Sequence, residues 1–241
     1  MMQTITHDPF FNGQIVFKQP QTGYRFSIDD VVIAHWLRPT SAKTILDLGT
    51  GCGVIPVMLA YRHADIHAVG VEIQPDLAEL ARQNVVENRM ADRIRIIEKD
   101  MRELSLREIG GPVEAVVANP PYRKLDSGRI NADSQRAVAR HELAIDLQRV
   151  LLTARRMLEK SGRFFIIYPS VRIVDLIAAM RSSELEPKIL MMIHTRLASP
   201  ARLVAIMGVN GGRPGIEIES PLYLYKSDGT YTEIVEAMLS G

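Results

Sequence analysis

Hydrophobic and polar positions alternate in a regular order from residue 44 onward. Five apolar runs recur, with the sequences TILDLG, IHAVGVE, IRIIEK, EAVVAN and GRFFIIY. Stretches with helical periodicity accompany them, with the sequences VIPVMLAYR, PDLAELARQNVVENR, ELAIDLQRVLLTARRMLE and RIVDLIAAMRSS. Strands that are buried on both faces are apolar throughout, so this order predicts a parallel sheet covered by helices on each side. The expected fold class is α/β, doubly wound.

Two further apolar runs near the end of the chain, PKILMMIHT and RLVAIMGV, are separated only by the short polar segment RLASPA. A connection this short joins antiparallel strands, because parallel strands need a much longer crossover. The runs together predict a mostly parallel, seven-stranded, Rossmann-like sheet whose last strand is antiparallel. The tail over 214–241 adds a polar turn at KSDG and a predicted terminal helix at TEIVEAML.

The N-terminal segment has its own pattern. Residues 14–26, QIVFKQPQTGYRF, place apolar runs on either side of PQTG, which predicts a small hairpin that turns there. Ser27 with Asp30 three residues later, followed by an apolar run, predicts the start of a helix, and Pro39 lies beyond its expected end.

Composition narrows the class of protein. The 241 residues are 46% hydrophobic and 24% charged, as in soluble globular proteins, and the sequence contains neither an apolar run of membrane-spanning length nor a signal-peptide pattern. We therefore expect a cytoplasmic protein. Cys52 is the single cysteine and the six histidines never recur at metal-ligand spacing, so neither an internal disulfide nor a structural zinc is expected.

The net charge of +1 gives no general attraction to nucleic acid, so RNA binding would need a local basic patch. The segment 123–140 is a candidate, since it holds five cations against two acids. The cations are Arg123, Lys124, Arg129, Arg136 and Arg140. Such side chains could grip a phosphate backbone, and the alternative is an ordinary solvated surface.

A glycine-rich turn, GTGCG, follows the first predicted strand of the sheet. Gly49, Gly51 and Gly53 allow the backbone to turn tightly and to approach a ligand closely, and the next helix presents free amide groups. The dinucleotide fingerprint would place its third glycine where this chain has Val54, so the turn alone is a weak signal, and tight packing is the alternative. Cys52 is expected to be a small filler rather than a nucleophile.

Acidic residues stand at three successive strand ends, where ligands of such sheets bind. Asp47 ends the first strand, Glu72 ends the second, where it can accept ribose hydroxyls, and Asp100 follows the third, where its carboxylate or neighbouring amides could meet an adenine edge. Each acid by itself is more often a solvated loop residue or a helix cap. Together, around one crevice, they predict a nucleoside pocket.

The motifs DLGTGCG, VGVE, EKDM and NPPY, in this order, resemble those of class I S-adenosylmethionine-dependent methyltransferases that modify amino groups, over roughly residues 44–170. NPPYRKLDSGRIN, ARHE and the N-terminal YRFSIDDVVIAHW are similar to the bacterial tRNA(Val) adenine-N6-methyltransferase family, which acts on an adenosine beside the anticodon. This finer resemblance covers nearly the whole chain. It implies a methyltransferase that uses S-adenosyl-L-methionine and acts on tRNA.

The resemblance also implies the residues that bind the cofactor. Asp47 would lie near the methionine amino group, Gly49, Gly51 and Gly53 around the amino-acid part, Glu72 on the ribose, and Asp100 with Met101 beside the adenine. Phe26 and Asp29 would lie in the element that closes over the cofactor, and Asn119 would also contact the cofactor. The expected organisation is one methyltransferase domain over 1–241, with a hairpin and helix over 1–40 that cover the cofactor site, a core sheet over 44–210 and a C-terminal extension over 211–241.

The NPPY segment, residues 119–122, ends the fourth strand and has a chemical interpretation. An exocyclic amine is a poor nucleophile because its lone pair is delocalised into the ring. If the Asn119 side-chain carbonyl and the Pro120 backbone carbonyl each accept an amine hydrogen, the lone pair turns toward the methyl group. Tyr122 could stack on an extruded base, and Pro121, Arg123, Lys124 and Arg129 are expected to contact the substrate. The alternative is that NPPY has a purely structural role, as an Asx-type turn that ends the strand.

Other functions share parts of this pattern. Methyltransferases of release-factor glutamine also carry NPPY, because an amide presents the same planar NH₂, but they resemble only the core of this chain. A DNA adenine methyltransferase would need a target-recognition domain for which no sizeable segment is left. A cofactor-binding module without activity is the alternative of another class, and the intact segment Asn119 to Tyr122 disfavours it.

Overall fold

The computed structural model describes residues 4–22, 25–37, 43–120 and 147–240. Its main sheet contains the seven predicted strands in the order β5-β4-β3-β6-β7-β9-β8. Their bounds are β3 Thr44–Leu48, β4 His67–Glu72, β5 Ile94–Glu98, β6 Val113–Ala118, β7 Leu158–Pro169, β8 Leu185–His194 and β9 Ala201–Asn210. Only β9 among these seven runs against its neighbours β7 and β8, as predicted for the last strand of the sheet.

Helices cover both faces of this sheet. Those that follow its strands are α2 Val54–Arg62, α3 Pro75–Glu87, α4 Leu106–Ile109, α5 over 147–157 and α6 Ile173–Ser182. Successive residues of one strand enter opposite cores: Ile45 and Phe165 pack on one side of the sheet, Leu46 and Phe164 on the other. Because both sides are buried, the strands carry the continuous apolar runs seen in the sequence. The doubly wound fold class is confirmed.

Three short elements were not predicted. The strands β10 Glu217–Ile218 and β11 Leu222–Tyr223 each add to β8 in parallel, which brings the sheet to nine strands. Helix α4 has only four residues. Elements this short carry no periodic signal, whereas the predicted terminal helix appears as α7 Glu233–Ser240.

The predicted hairpin over 14–26 is wrong in its placement. Strand β2, Ile15–Pro20, pairs antiparallel with an upstream strand, β1 Ile5–Phe10, and the turn lies at 11–14 rather than at PQTG. Phe11, Asn12 and Gly13 adopt φ values of 51°, 53° and 81° there. An Asn-Gly pair favours these left-handed conformations and is a strong hairpin signal, but β1 itself has a weak strand pattern because it contains His7, Asp8 and Pro9.

Asn84 of α3 and Asn88, the residue that caps the end of this helix, hold the hairpin on the core. The Asn84 side chain accepts from the backbone N–H of Lys18 at 2.8 Å and donates to the backbone carbonyl of Lys18 at 2.9 Å. The Asn88 side chain likewise accepts from the backbone N–H of Val16 at 3.0 Å and donates to the backbone carbonyl of Val16 at 2.9 Å. These amides therefore pair with β2 as a neighbouring strand would. Asn84 also donates to the carbonyl of Cys52 at 2.9 Å, which ties the hairpin to the glycine-rich turn.

Helix α1, Ile28–Trp36, begins where the sequence predicted. The Ser27 hydroxyl and the Asp30 carboxylate form a capping box, and Asp30 Oδ2 accepts from the Ser27 backbone N–H at 2.9 Å. Pro39, the predicted stop, lies outside the described residues. Within the part of the chain that the structure describes, no helix has the length and apolar character needed to cross a membrane.

Candidate active site

A cavity of about 310 Å³ opens at the carboxyl ends of β3, β4, β5 and β6. It includes the point where the strand order reverses, since β4 and β6 lie on opposite sides of β3. Ligands of doubly wound folds bind at such a point, and cavities of about 300–1,000 Å³ accommodate small-molecule ligands. Among the residues predicted for the site, Gly49, Glu72, Asp100, Met101, Asn119 and Pro120 line this cavity.

The glycine-rich turn connects β3 to α2. Gly49, Gly51 and Gly53 have φ values of 78°, 55° and 80°, which lie in the left-handed region that glycine adopts without strain. The backbone N–H groups of Gly49 and Thr50 donate to the carbonyl of Val71 at 2.9 and 3.0 Å, so the turn is held against the end of β4. At Gly49 an added side chain would meet open space, because this position lines the cavity.

Glu72, the last residue of β4, is almost fully buried beside this turn. Its Oε2 accepts from the Gly51 backbone N–H at 2.9 Å, and its Oε1 accepts from the Gln74 backbone N–H at 2.9 Å. Each carboxylate oxygen can accept more than one hydrogen bond, so both oxygens can also receive hydroxyl groups from a ligand in the cavity. The backbone contacts fix the carboxylate in place for that purpose.

Asp47 directly precedes Leu48 and Gly49, which line the cavity, but it does not itself line the cavity and has 1% of its surface exposed. Neither carboxylate oxygen has a hydrogen-bond partner among the described residues. Burial raises the pKa of Asp47 to about 7. The nearby Thr50 hydroxyl lowers this pKa, although no well-formed hydrogen bond joins the two side chains. The charges of Asp30 and Glu72 raise the pKa. A buried carboxylate in this condition is well suited to a cationic group of a ligand.

Asn119, directly after β6, is connected to α1. Its Nδ2 donates to Asp30 Oδ1 at 2.8 Å, and Asp30 is itself 5% exposed. Burial raises the pKa of Asp30 to about 6, and the hydrogen bond from Asn119 opposes that rise. Asp30 is therefore mostly ionised at neutral pH. The sequence identified Asp30 only as a helix cap.

Asp100 and Met101 line the cavity beyond the end of β5. Both Asp100 oxygens accept from the Arg102 Nε, at 2.9 and 2.8 Å, and Arg102 Nη2 forms an ion pair with Oδ2. These hydrogen bonds from Arg102 lower the pKa of Asp100. The carboxylate is thus already engaged by a cation, so the neighbouring backbone groups of 100–102 are the better candidates to meet an adenine edge.

Phe26 and Asp29 do not line the cavity. The Phe26 ring lies 5.3 Å from that of Phe10 and 5.6 Å from that of Phe17, and its backbone N–H donates to Gln19 Oε1 at 3.1 Å. Phe26 is therefore part of an aromatic cluster with the hairpin. Burial raises the pKa of Asp29 in the first turn of α1, while the Ser27 hydroxyl and the charge of Arg202 lower it.

Several predicted site residues lie outside the described residues. These are Pro121, Tyr122, Arg123, Lys124, Arg129, Arg136 and Arg140, so the expected substrate contacts stay predictions. The cavity wall includes residues that the sequence did not identify, among them Gln74, Lys99, Arg102 and Arg149. Gln74, Arg102 and Arg149 belong to none of the quoted motifs, and Lys99 lies within EKDM without an assigned role, because these residues enter the site only through the fold.

Cys52 is buried in the glycine-rich turn with 1% of its surface exposed. Burial raises the pKa of its thiol to about 12, and the charges of Glu72 and Asp30 add to that effect. Such a thiol does not ionise at neutral pH and is not a nucleophile. Among the described residues, no cluster of three or more His, Cys, Asp or Glu side chains could hold a metal ion.

The solved structures that this architecture matches include methyltransferases. A predicted O-methyltransferase from Agrobacterium tumefaciens matches with a TM-score of 0.70 at 21% identity, over 87% of this chain and 94% of that one. A geranyl diphosphate C-methyltransferase from Streptomyces coelicolor A3(2), solved with S-adenosyl-L-homocysteine, matches with a TM-score of 0.52 at 15% identity, over 76% of each chain. The sheet order and the cavity at its switch point thus define a Rossmann-like methyltransferase fold.

The methyltransferase small domain family model matches residues 29–177, and the chain belongs to this family. A relative from Porphyromonas gingivalis strain W83 is 37% identical over 175 residues, covering 70% of this chain and 68% of that protein. A second, from Aeromonas hydrophila, is 26% identical over 231 residues, covering 92% and 93%. Both are named tRNA1(Val) (adenine(37)-N6)-methyltransferase. The resemblance drawn from the sequence motifs is confirmed.

The chain is a methyltransferase that uses S-adenosyl-L-methionine, and the residues of the cavity fit this molecule. Glu72 presents a fixed, buried carboxylate to which ribose hydroxyls can donate. Asp47 supplies a buried carboxylate without hydrogen-bond partners among the described residues, which suits the methionine amino group. The left-handed turn at Gly49 leaves open space for the amino-acid part.

Replacing Glu72 with alanine should weaken binding of S-adenosyl-L-homocysteine by roughly 1.5–3 kcal/mol, the range for hydrogen bonds to a charged group. The reason is that two hydroxyl groups lose their water on binding and would find no carboxylate. Titration calorimetry measures the affinity. Glu98→Ala is the matched control, since Glu98 ends the neighbouring strand β5, is exposed and does not line the cavity. Equal affinity for wild type and Glu72→Ala would exclude Glu72 from the ribose site.

Proposed function

We propose that this methyltransferase transfers a methyl group from S-adenosyl-L-methionine to the exocyclic amine of an adenosine in the anticodon loop of tRNA. The observation that carries the proposal is the position of Asn119 and Pro120, which follow β6 and line the cavity next to Gly49 and Glu72. The names of the relatives from Porphyromonas gingivalis and Aeromonas hydrophila support the choice of substrate. A tRNA substrate would place the reaction in the cytoplasm.

In this reaction the protein has to position the amine and accept its hydrogens. The bound cofactor supplies an electrophilic methyl group on a sulfonium, and the C–S bond breaks as the N–C bond forms. The amine must give up its conjugation with the adenine ring, and acceptors for both of its hydrogens favour that change. The Asn119 side-chain carbonyl and the Pro120 backbone carbonyl are the acceptors that we assign to this role. The extra proton leaves the nitrogen after transfer and passes to water.

Proline suits the second acceptor position. It has no backbone N–H, so the turn after β6 presents a carbonyl without a competing donor, and its ring restricts φ. Pro120 is buried while Asn119 is partly exposed at the cavity. The arrangement works by position and electrostatics, with no covalent enzyme intermediate.

For the cofactor we propose the assignments implied by the resemblance: Glu72 for the ribose, Asp47 for the methionine amino group, the turn at Gly49, Gly51 and Gly53 for the amino-acid part, and Asp100 with Met101 for the adenine. The segment 1–40, with Phe26 and Asp29, would cover this site. The remainder of the domain would consist of the core sheet over 44–210 and the C-terminal extension over 211–241. Beyond Pro120, Tyr122 would stack on the target base, and the cations of 123–140 would hold flanking phosphates.

The test is methyl transfer from tritium-labelled cofactor to bulk tRNA, followed by nucleoside mass spectrometry of the product. We expect N6-methyladenosine as the labelled nucleoside, and tRNA from a deletion strain should be the better substrate because its target is unmodified. Label in a release factor and none in tRNA would overturn the proposal in favour of glutamine methylation. Cofactor binding without transfer to either would indicate a binding module.

A further inference from the structure

Two hydrogen-bond donors converge on the buried carboxylate of Asp30. Asn119 Nδ2 donates to Oδ1 at 2.8 Å, and the Ser27 backbone N–H donates to Oδ2 at 2.9 Å. Both oxygens therefore act as acceptors, and an ionised carboxylate can only accept. The nitrogen end of the Asn119 amide is thereby assigned to the side that faces Asp30, since its oxygen would be repelled there.

This assignment determines the chemistry of the opposite end of the amide. With Nδ2 directed at Asp30, the opposite end of the amide is the carbonyl oxygen, whose two lone pairs allow it to accept a hydrogen from an amine. If the amide were turned over, it would present NH₂ to another NH₂, and neither group would have an acceptor. An isolated asparagine can adopt both orientations, because its two ends have nearly the same shape.

We propose that Asp30 is a positioning residue that fixes the orientation of the Asn119 amide, so that the carbonyl oxygen and not the NH₂ group meets the amine to be methylated. This inference rests on the proposed function of Asn119 as an acceptor for that amine. Asp30 acts through Asn119 and needs no contact with the substrate.

The surroundings of Asp30 leave this role to Asn119 and Ser27. Within the described part of the chain, the titratable groups that interact with its charge are Asp29 on α1, Asp47 on β3 and the Cys52 thiol, none of which is a cation at neutral pH. No salt bridge to Asp30 occurs among the residues that the structure describes. Of the hydrogen bonds that offset the burial of this charge, the one from Asn119 contributes most, so this contact stabilises a single orientation of the amide.

Exchange of the two side chains tests the proposal. In Asp30→Asn, the new oxygen can still accept from Ser27, but its NH₂ then faces Asn119 and favours the turned-over amide. In Asn119→Asp, two carboxylates face each other. The double variant Asp30→Asn with Asn119→Asp restores the hydrogen bond between the two positions with reversed polarity, while the Ser27 backbone N–H still donates to an oxygen at position 30. The amide introduced at position 30 then donates, and the carboxylate introduced at position 119 accepts both from that amide and from the substrate amine.

We expect the single-turnover rate of methyl transfer to tRNA to fall by about tenfold or more in each single variant, and the double variant to recover at least about tenfold over the slower one. Affinity for S-adenosyl-L-homocysteine should change less than about threefold in Asp30→Asn, because Asp30 does not line the cavity. Asp175→Asn is the control, an exposed carboxylate in the first turn of α6. A double variant no faster than the slower single variant would overturn the positioning role.

Thermal unfolding of the same proteins keeps the test independent of folding defects and of the substrate. The melting temperature should fall in both single variants and recover in the double variant. If wild-type protein transfers no methyl group to tRNA, the proposed function is wrong, and the melting temperatures still decide the orientation: recovery supports the fixed amide, whereas melting temperatures that simply add would overturn it.

Discussion

Asn119→Ala is expected to lower the single-turnover rate of methyl transfer by a factor of about 10²–10³ while leaving affinity for S-adenosyl-L-homocysteine nearly unchanged. The alanine removes an acceptor that acts mainly as charge develops on the amine nitrogen, so its loss affects the transition state more than the bound ground state. Rapid-quench measurement of the labelled product gives the rate, and titration calorimetry gives the affinity.

The control for this variant is Asn210→Ala. Asn210 is a buried residue at the end of β9. Its side-chain amide donates to the carbonyls of Leu158 and Glu159, at the end of the sheet opposite the cavity. Its loss should reduce stability and leave the rate of the folded protein as it is. If Asn119→Ala reacts as fast as Asn210→Ala, the amine contact assigned to Asn119 is wrong.

The strands of this fold were predictable because of where they are buried. Ile45 and Leu46 enter opposite cores, so an apolar residue is needed at nearly every position of β3, and the run TILDLG is visible in the sequence. Strand β1 belongs to a two-stranded sheet, and its own side chains alternate between exposed and partly exposed, so its composition resembles that of a loop. The misplaced hairpin follows from that difference in burial.

The candidate site also contains residues that could be predicted from the sequence and contacts that could not. Gly49, Glu72, Asp100 and Asn119 could be grouped from the sequence because parallel strands bring their carboxyl ends to one edge. The contact between Asp30 and Asn119 joins residues 89 positions apart, and it depends on how α1 packs against α2 and β7. No spacing rule contains that information. The engagement of Asp100 by Arg102 was equally hidden, although the two are near neighbours, because it depends on a side-chain rotamer.

The largest effect on stability is expected at Asp47. Its pKa is raised from 3.8 to about 7 in the folded protein, mainly by burial. Well below the unfolded pKa the carboxyl is protonated in both the folded and the unfolded chain, so its ionisation does not reduce the free energy of unfolding. As the pH rises from about 4 to about 7, the unfolded chain loses this proton first, so the free energy of unfolding falls, and the full penalty is present above about pH 7.

Asp47→Asn removes this titration. Relative to wild type, the variant should gain about 3 kcal/mol in the free energy of unfolding between about pH 4.5 and about pH 8, with a slope of at most roughly 1.4 kcal/mol per pH unit that levels off above about pH 7. The raised pKa of Asp30 acts in the same direction in both proteins and largely cancels in the comparison. Urea unfolding of the two proteins without cofactor, at several pH values, measures the difference.

The same variant should bind S-adenosyl-L-homocysteine more weakly, because the carboxylate proposed to meet the methionine amino group is gone. A gain in stability together with a loss of binding is the expected mark of a charge that is kept for its ligand. Asp92→Asn, an exposed carboxylate, is the control and should show no pH-dependent gain. A stability difference between Asp47→Asn and wild type that stays constant across this pH range would mean that Asp47 is ionised over the whole range, and its assignment as an uncompensated buried carboxylate would be wrong.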